Sequence, residues 1–550
     1  MNLNLSPNLT TDKKTNFWKN KGFAKKTKDE ENGKSPKAFK MSFNDFEDDY
    51  EPPVYFDTTT LDNIDPIEES AKFKLYHSTQ NLFITGKAGT GKSTLLKEFV
   101  DYCKFKKLNV AVVAPTGIAS INVGGVTIHS FFQLSIDNPQ ELKKLNPIRK
   151  KLLEAIDILI VDEISMVSNQ QFDQMDKRLS QAKFGHNPHN RQFGGVRVIL
   201  FGDLFQLGPV IKDDEDLGYF FESKTFGQMV AIGNMQMHEL TRIWRQDDLD
   251  FINLLGKIRQ GQATNKDLQL INSKLTNDNP SQLSQDKKIS ILCTLNNQVN
   301  RYNTQILNTI NQPSHTFSGK LNGEFGHFDS LPPEELELKE SCLVVFVKND
   351  LEKKWVNGDF GQVLRFGYKI TLEKNKIEKS EFYWDYHNQS SQIHKDLARF
   401  KDQGYVIKLA GYVIEIQVQR TNQIVQVTKE TWEKKQYVPI ESIKEGEEGE
   451  TTFETKIKEK TVGSYNQFPV KLGYAITVHK SQGMTLTGAV IDFSGGSFGS
   501  GLLYVALSRV KSMDNLHLTK ALAINDILLD SKVTQAYQEL KQLSNNGLMS

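Results

Sequence analysis

Residues Gly86 to Ser93 read GKAGTGKS, placed after the apolar NLFIT and before TLLKEF. Three glycines let the backbone curl until its N–H groups converge on an anion, at a helix start whose unpaired donors and dipole favour negative charge. A lysine and a hydroxyl close the motif, and that combination suits a nucleoside triphosphate. The expected cradle is Gly86, Lys87, Ala88, Gly89, Thr90, Gly91, Lys92, Ser93 and Thr94, with Lys92 on the β- and γ-phosphates and Ser93 on a magnesium ion. ILIVDE then delivers Asp162 and Glu163 to the end of an apolar strand, Asp162 for the metal and Glu163 to take a proton from the attacking water. Alone, such an acid pair reads as an exposed turn; behind a phosphate loop it reads as catalytic.

Further along, FGDLFQLGPV presents Asp203 and Gln206. A glutamine in such apolar company suits a γ-phosphate sensor, whereas Asp203 has the bland reading of a turn cap. TRIWRQ carries Arg242 and Arg245 around a tryptophan, and YVALSRV ends an apolar run on Arg509. A buried guanidinium is costly unless an anion meets it. A triphosphate held opposite would supply that anion for Arg245 and Arg509, with about 10³–10⁵ in rate for such a finger. Surface ion pairs are the plainer alternative for both.

Two junctions have polar and aromatic groups at strand ends. In APTGIASINVGGVTIHSFF these are Pro115, Thr116, Thr127, His129 and Phe131; in ITVHKSQGMTL they are Thr477 and His479, with Gln482 and Gly483 turned toward the nucleotide. Hydroxyls on phosphates and rings on bases fit single-stranded nucleic acid, stacking contributing about 1–3 kcal/mol per base. Taken alone, His129 reads as a satisfied structural histidine rather than a contact, and Phe132 as core.

The elements that must position these groups follow from pattern. VAVVAP, IDILIVDE and VRVILFGD are near-continuous apolar strands, as in a parallel sheet covered on both faces. The chain of 550 residues exceeds one core. The reading is α/β: a charged tail over 1–60, a first lobe over 61–240, a second begun at 241–334 and completed at 463–550, the latter including a C-terminal helix, and a small antiparallel β unit inserted at 335–462. Within the insertion IKEGEEGETTFETKIKEK is expected to be an exposed loop. Lysine and arginine total 68 against 67 acids, so no global field attracts a polyanion and any nucleic-acid site is local. Cys103, Cys293 and Cys342 are too dispersed for a zinc site or disulfide framework. A soluble intracellular protein is expected, since no run reaches the roughly 18 apolar residues of a membrane span.

Together, in order over about residues 70 to 525, GKAGTGKST, APTGIASINVGGVTIHSFF, VDEISMV, FGGVRVILFGDLFQLGPV, TRIWRQ, ITVHKSQGMTL and GLLYVALSRV resemble the petite-integration-frequency (PIF) DNA helicases of superfamily 1B, relatives of RecD-like helicases. That resemblance implies two RecA-like P-loop NTPase lobes, an insertion of the Src-homology β-barrel type, use of ATP and Mg²⁺, and 5′-to-3′ translocation on single-stranded DNA. It also implies unwinding of duplex, forked or G-quadruplex DNA in repair, recombination, replication or telomere maintenance. It supports Lys92, Ser93, Asp162, Glu163, Gln206, Arg245 and Arg509 in the nucleotide site, and Thr116, Thr127, His129 and His479 near DNA. A monomer is expected, in the cytoplasm of a bacterium or the nucleus or mitochondrion of a eukaryote, with the strand-separating wedge between Phe132 and Ile156, where SIDNPQELKKLNP is the candidate. Two departures stand out: Glu68 and Glu69 where the family usually has an adenine-reading glutamine, and Gly208 where it usually has proline. An ATP-gated nucleic-acid clamp that hydrolyses without separating strands is the competing reading.

Overall fold

The computed structural model describes residues 66–546, apart from 136–141, 143, 186–190, 210–216, 247, 326–330, 375–376, 385–389, 446–450 and 497–498. The charged tail and most of the expected wedge lie outside the described residues. The first lobe is built on six strands: β1 (Asn81–Gly86), β2 (Val110–Ala114), β3 (Val126–Thr127), β4 (Ile158–Val161), β5 (Arg197–Phe201) and β6 (Met235–Leu240). They lie in the order β3-β2-β4-β5-β1-β6, every pairing parallel. Successive side chains go to opposite faces: Leu159 and Val161 join one cluster, Ile158 and Ile160 the other. Both faces are therefore covered, which is why these strands read as unbroken apolar runs. Each fully buried side chain of this kind contributes roughly 1.5–3 kcal/mol.

The second lobe has four parallel strands, β7 (Ser290–Cys293), β8 (Ala475–Thr477), β9 (Ala489–Asp492) and β10 (Leu516–Leu518), ordered β8-β7-β9-β10. Parallel strands share one carboxyl edge, so residues that follow them converge there. Between β7 and β8 the chain is antiparallel. Its main sheet runs Ile424–Val427, Val406–Val418, Phe360–Lys374, Leu343–Phe346, Val470–Leu472, with Ile377–Trp384 beside Phe360–Lys374.

One expectation is overturned here. Of the charged stretch read as a loop, 443–445 end the first arm and 451–460 belong to the second arm of a long hairpin, Glu430–Glu445 paired with Thr451–Gln467, while 446–450 lie outside the described residues. Lysines and glutamates alternating with Phe453, Thr455 and Ile457 have the period of a strand with one face to pack. The hairpin leaves its own sheet and reaches the first lobe. Asn109 there donates to Thr455 O and accepts from Ile457 N at 3.2 and 3.0 Å. Tyr437 enters the first lobe's core, its ring 5.6 Å from Phe131 and edge-on. Lys151 pairs with Glu441 at 2.7 Å across solvent, which adds little.

The C-terminal helix Ser531–Asn546, grouped by sequence order with the second lobe, packs on the first: Val533, Ala536, Tyr537 and Leu540 join its core, and Met237 N donates to Ser544 Oγ. Two crossing connections thus tie the lobes. The three cysteines are buried and unpaired. Among the described residues no helix is long and apolar enough to cross a membrane.

Removing the Tyr437 ring by Tyr437→Ala is expected to cost about 3–5 kcal/mol, the usual range for emptying an aromatic site. Urea or thermal melting checks it, and an unshifted midpoint would mean that the hairpin does not dock.

Candidate nucleotide cleft and nucleic-acid interface

The phosphate loop follows β1, and its shape depends on glycine where the chain turns left-handed. Gly89 has φ +81°, and a Cβ there would lie 2.5 Å from Cβ of Arg245. Gly91 has φ +85° and precedes the helix Lys92–Phe105. Lys92 Nζ donates to Gly86 O at 2.7 Å and Lys87 O at 3.0 Å, so the ammonium lies folded across the loop. Burial lowers its pKa. Ser93 and Thr94 face outward from the first helical turn.

Asp162 and Glu163 sit where β4 ends. Glu163 has φ +50°, a conformation that costs a non-glycine residue roughly 1–3 kcal/mol and that clusters at functional sites. Burial, then the charge of Glu163, pushes Asp162 up to about 7. A buried carboxylate and an exposed serine hydroxyl on the first turn of the helix after the phosphate loop are hard-oxygen donors suited to magnesium, which keeps waters and phosphate oxygens as its other ligands. Burial raises Glu163 as well.

Across the cleft, Arg509 is 1% exposed. Its donors go to Val505 O at 2.8 Å, Ser508 Oγ at 2.7 Å and, more loosely, Ser481 O and Met484 O at 3.3 and 3.4 Å. Among the described residues no carboxylate lies within ion-pairing distance of it. Burial, with the Arg245 guanidinium nearby, drops Arg509 to about 9. Arg245 is held by Ser508 O and Gly483 O at 3.3 and 3.2 Å. Gln482 Nε2 closes the site, donating to Glu163 Oε2 at 3.1 Å and Gln206 Oε1 at 3.2 Å. Lys92, Glu163, Gln206, Arg245, Arg509, Gln482 and Gly483 are thus brought to one junction between the two sheets.

The residues assigned to nucleic acid are more scattered in role. Phe131 is a correction: at 1% exposure, wedged against Phe132 and Tyr437, its ring cannot stack on a base in this arrangement. Thr127 caps the short helix Ile128–Phe132 by accepting from Ser130 N at 3.3 Å. Thr477 is buried and accepts from Lys480 N. Pro115 and Thr116 remain partly open just after β2, as does His479 after β8. His129 is oriented by the capping box of helix Asn169–Phe184: Gln171 Oε1 accepts from Ser168 N, which leaves its amide nitrogen 3.3 Å from His129 Nε2. That ring nitrogen must accept, so His129 is neutral and brings no charge to a phosphate.

Three contributors escaped sequence reading. Tyr504 accepts from Ala88 N at 2.9 Å and fixes the loop from the opposite lobe. Trp244 N donates to Gly89 O at 2.8 Å. Arg259, on helix Leu249–Arg259, pairs with Asp203 at 2.8 Å with both side chains fully buried. Its signal was legible: an arginine four residues after Leu255, on a stripe with Phe251, Leu254 and Ile258. Gly208, the departure from proline, lies under Tyr219, where any Cβ would come within 2.8 Å of the ring.

With this geometry in view, likeness to known proteins is informative. The model of the PIF1-like helicases matches residues 64–269. The ATP-dependent DNA helicase Pif1 of Campylobacter jejuni is 30% identical over 491 residues, spanning 84% of this chain and 94% of that one. This chain belongs to the PIF1-like helicase family. Among solved members, Bacteroides Pif1 in complex with ADP-AlF4 is 28% identical with a TM-score of 0.67, over 88% of this chain and 99% of that one. Bacteroides Pif1 bound to single-stranded DNA is 29% identical with a TM-score of 0.53, over 87% and 98%. The two parallel sheets of this family member are accordingly RecA-like lobes.

Burial lowers the pKa of His129 and His479, and that of His238 to about 4. All three are neutral when folded, while the unfolded chain takes up protons below about pH 6.5. The histidines' share of the stability is therefore full above that pH and lost as the pH drops from 6.5 toward 4, whereas the raised carboxyls of Asp162 and Glu163 bind a proton more readily in the folded chain and act in the opposite sense. Chemical denaturation at stepped pH of the wild type and of His238→Gln isolates the histidine share: the variant is expected to lose less stability than the wild type between pH 6.5 and 4, and parallel profiles would contradict it.

Proposed function

We propose that the chain is an ATP-dependent DNA helicase moving 5′-to-3′ along single-stranded DNA and unwinding forked or G-quadruplex DNA. One observation carries the nucleotide half of this reading: Arg509, buried, and Arg245, half-buried, come from the second lobe bonded only to neutral oxygens and confront Lys92 and Glu163 of the first. Cations so desolvated favour a polyanion strongly, because fixed charges in a dry cleft need no reorganisation when phosphoryl charge develops.

In the proposed cycle Lys92 exchanges its two loop carbonyls for β- and γ-phosphate oxygens. Glu163 accepts a proton from the attacking water as the water oxygen bonds to the γ-phosphorus and the bond to the bridging oxygen breaks. Arg245 and Arg509 neutralise the leaving charge. Magnesium, held through Ser93 and Asp162, would screen the phosphates and hold them in line. Because the two arginines ride on the second lobe, loss of the γ-phosphate removes what draws the lobes together, and a local charge change becomes lobe motion. Pro115, Thr116 and His479, near strand ends of both lobes, are proposed to touch the DNA track. We read the insertion as a barrel of the Src-homology type and the working unit as a monomer. The Campylobacter and Bacteroides proteins, named as a DNA helicase and as DNA-bound, support this reading.

Unwinding of forks carrying only a 5′ or only a 3′ tail tests it. Strand separation on the 5′-tailed fork alone is expected; DNA-stimulated hydrolysis with neither fork opened would instead favour a clamp. Lys92→Ala is expected to abolish hydrolysis. Arg509→Ala is expected to retain ATP binding and slow turnover about 10²-fold or more, and a wild-type rate would remove Arg509 from the chemistry.

A further inference from the structure

The ion pair between Arg259 and Asp203 is used by none of the steps above, yet it lies one residue from them. Asp203 is fully buried where β5 ends, and Arg259 reaches it from the helix Leu249–Arg259. Arg259 Nε and Nη2 both donate to Oδ1, at 3.1 and 2.8 Å. The guanidinium is confined between rings, 4.3 Å from Phe205 and 5.6 Å from Tyr537, with Nη1 3.6 Å from Glu239 Oε1 and the two shorter bonds spent on Asp203. A buried ion pair is weak as a source of stability, since apolar substitutes of like shape often serve as well. Its effect on hydrogen-bond direction is stronger.

An ionised carboxylate only accepts. Asp203 Oδ2 accepts from Gln206 Nε2 at 3.2 Å, and while Arg259 keeps that carboxylate charged the amide of Gln206 cannot turn over. Gln206 Oε1 is thereby aimed into the cleft as an acceptor. There it meets Gln482 Nε2, which also donates to Glu163 Oε2. A primary amide nitrogen carries two hydrogens, as a water molecule does. Gln482 therefore marks a point at which one donor satisfies Glu163 and Gln206 together.

We infer that Arg259 is a positioning residue for hydrolysis: by holding Asp203 anionic it locks Gln206 as a second acceptor, beside Glu163, for the attacking water. Gln206 then orients water and is not a donor to the γ-phosphate, which revises the sensor reading made from sequence. The inference rests on the ATP-hydrolysing reading of this cleft. Because Arg259 comes from the second lobe's side and Gln206 from the first, the water is oriented only when the lobes are in register.

The test uses the full-length chain with single-stranded DNA and measures steady-state ATP hydrolysis, affinity for a non-hydrolysable ATP analogue, and thermal melting. Arg259→Met is expected to lower kcat about 10²-fold, the scale of removing one oriented polar group from a transition state, with KM for ATP and analogue affinity changed less than about threefold. Arg259→Lys, a point charge unable to fork, should fall between. In a Gln206→Ala background, Arg259→Met should cost no more than about twofold further, because both act through one amide. A merely structural role predicts instead that the two losses multiply and that kcat follows the fraction folded. Wild-type kcat in Arg259→Met, or multiplying losses, overturns the inference. If Arg259→Met does not fold, Arg259→Lys alone and in the Gln206→Ala background decides by the same criteria. If the wild-type chain itself does not hydrolyse ATP, the functional reading fails before Arg259 is reached.

Discussion

The cleft is governed by unmatched buried charge. Four cations, Lys92, Arg245, Arg259 and Arg509, are gathered between two parallel sheets, and one of them, Arg259, has a carboxylate partner within bonding distance. The others rest on carbonyl and hydroxyl oxygens. Neutral oxygens satisfy hydrogen-bond donors but do not cancel charge, so the desolvation of these groups remains partly uncompensated. A triphosphate cancels it. Much of what surrounds the cleft exists to keep that imbalance dry and in place.

Parallel topology makes such a gathering possible. Every strand of the first lobe delivers its following residue to one edge, so loop, acid pair, Asp203 and Gln206 meet although over a hundred residues separate the first from the last. The second lobe repeats the arrangement with Gln482 after β8, and adds Arg509 from the end of the helix Leu502–Leu507. What holds the edges facing each other is a set of crossing contacts: the hairpin on Asn109 and Phe131, the C-terminal helix on β6, Tyr504 on the phosphate loop.

Much of this was legible in the chain. The phosphate loop, the acid pair and both arginines are local patterns whose chemistry follows from residue type and spacing, and the apolar strands announce a covered parallel sheet. The insertion's β texture was also legible. The hairpin was not, because alternating lysine and glutamate satisfy a solvated loop as readily as a strand; the distinction lies in Asn109 and the Phe131 pocket on another lobe. Phe131 misled for the converse reason. Beside a histidine and threonines it looks like a stacking ring, but Tyr437, some three hundred residues away, occupies its face.

What the amino-acid order determined by itself, then, is the set of reacting groups and the covered sheets that carry them, since loop curvature, strand pattern and side-chain chemistry act over a few residues. Pairing was decided only by the fold. Whether Arg259 meets Asp203, which way the amide of Gln206 points, and which rings are spent on the core depend on groups brought together from different lobes, and a hydrogen bond's direction is set by its partner's charge in space rather than by neighbours along the chain.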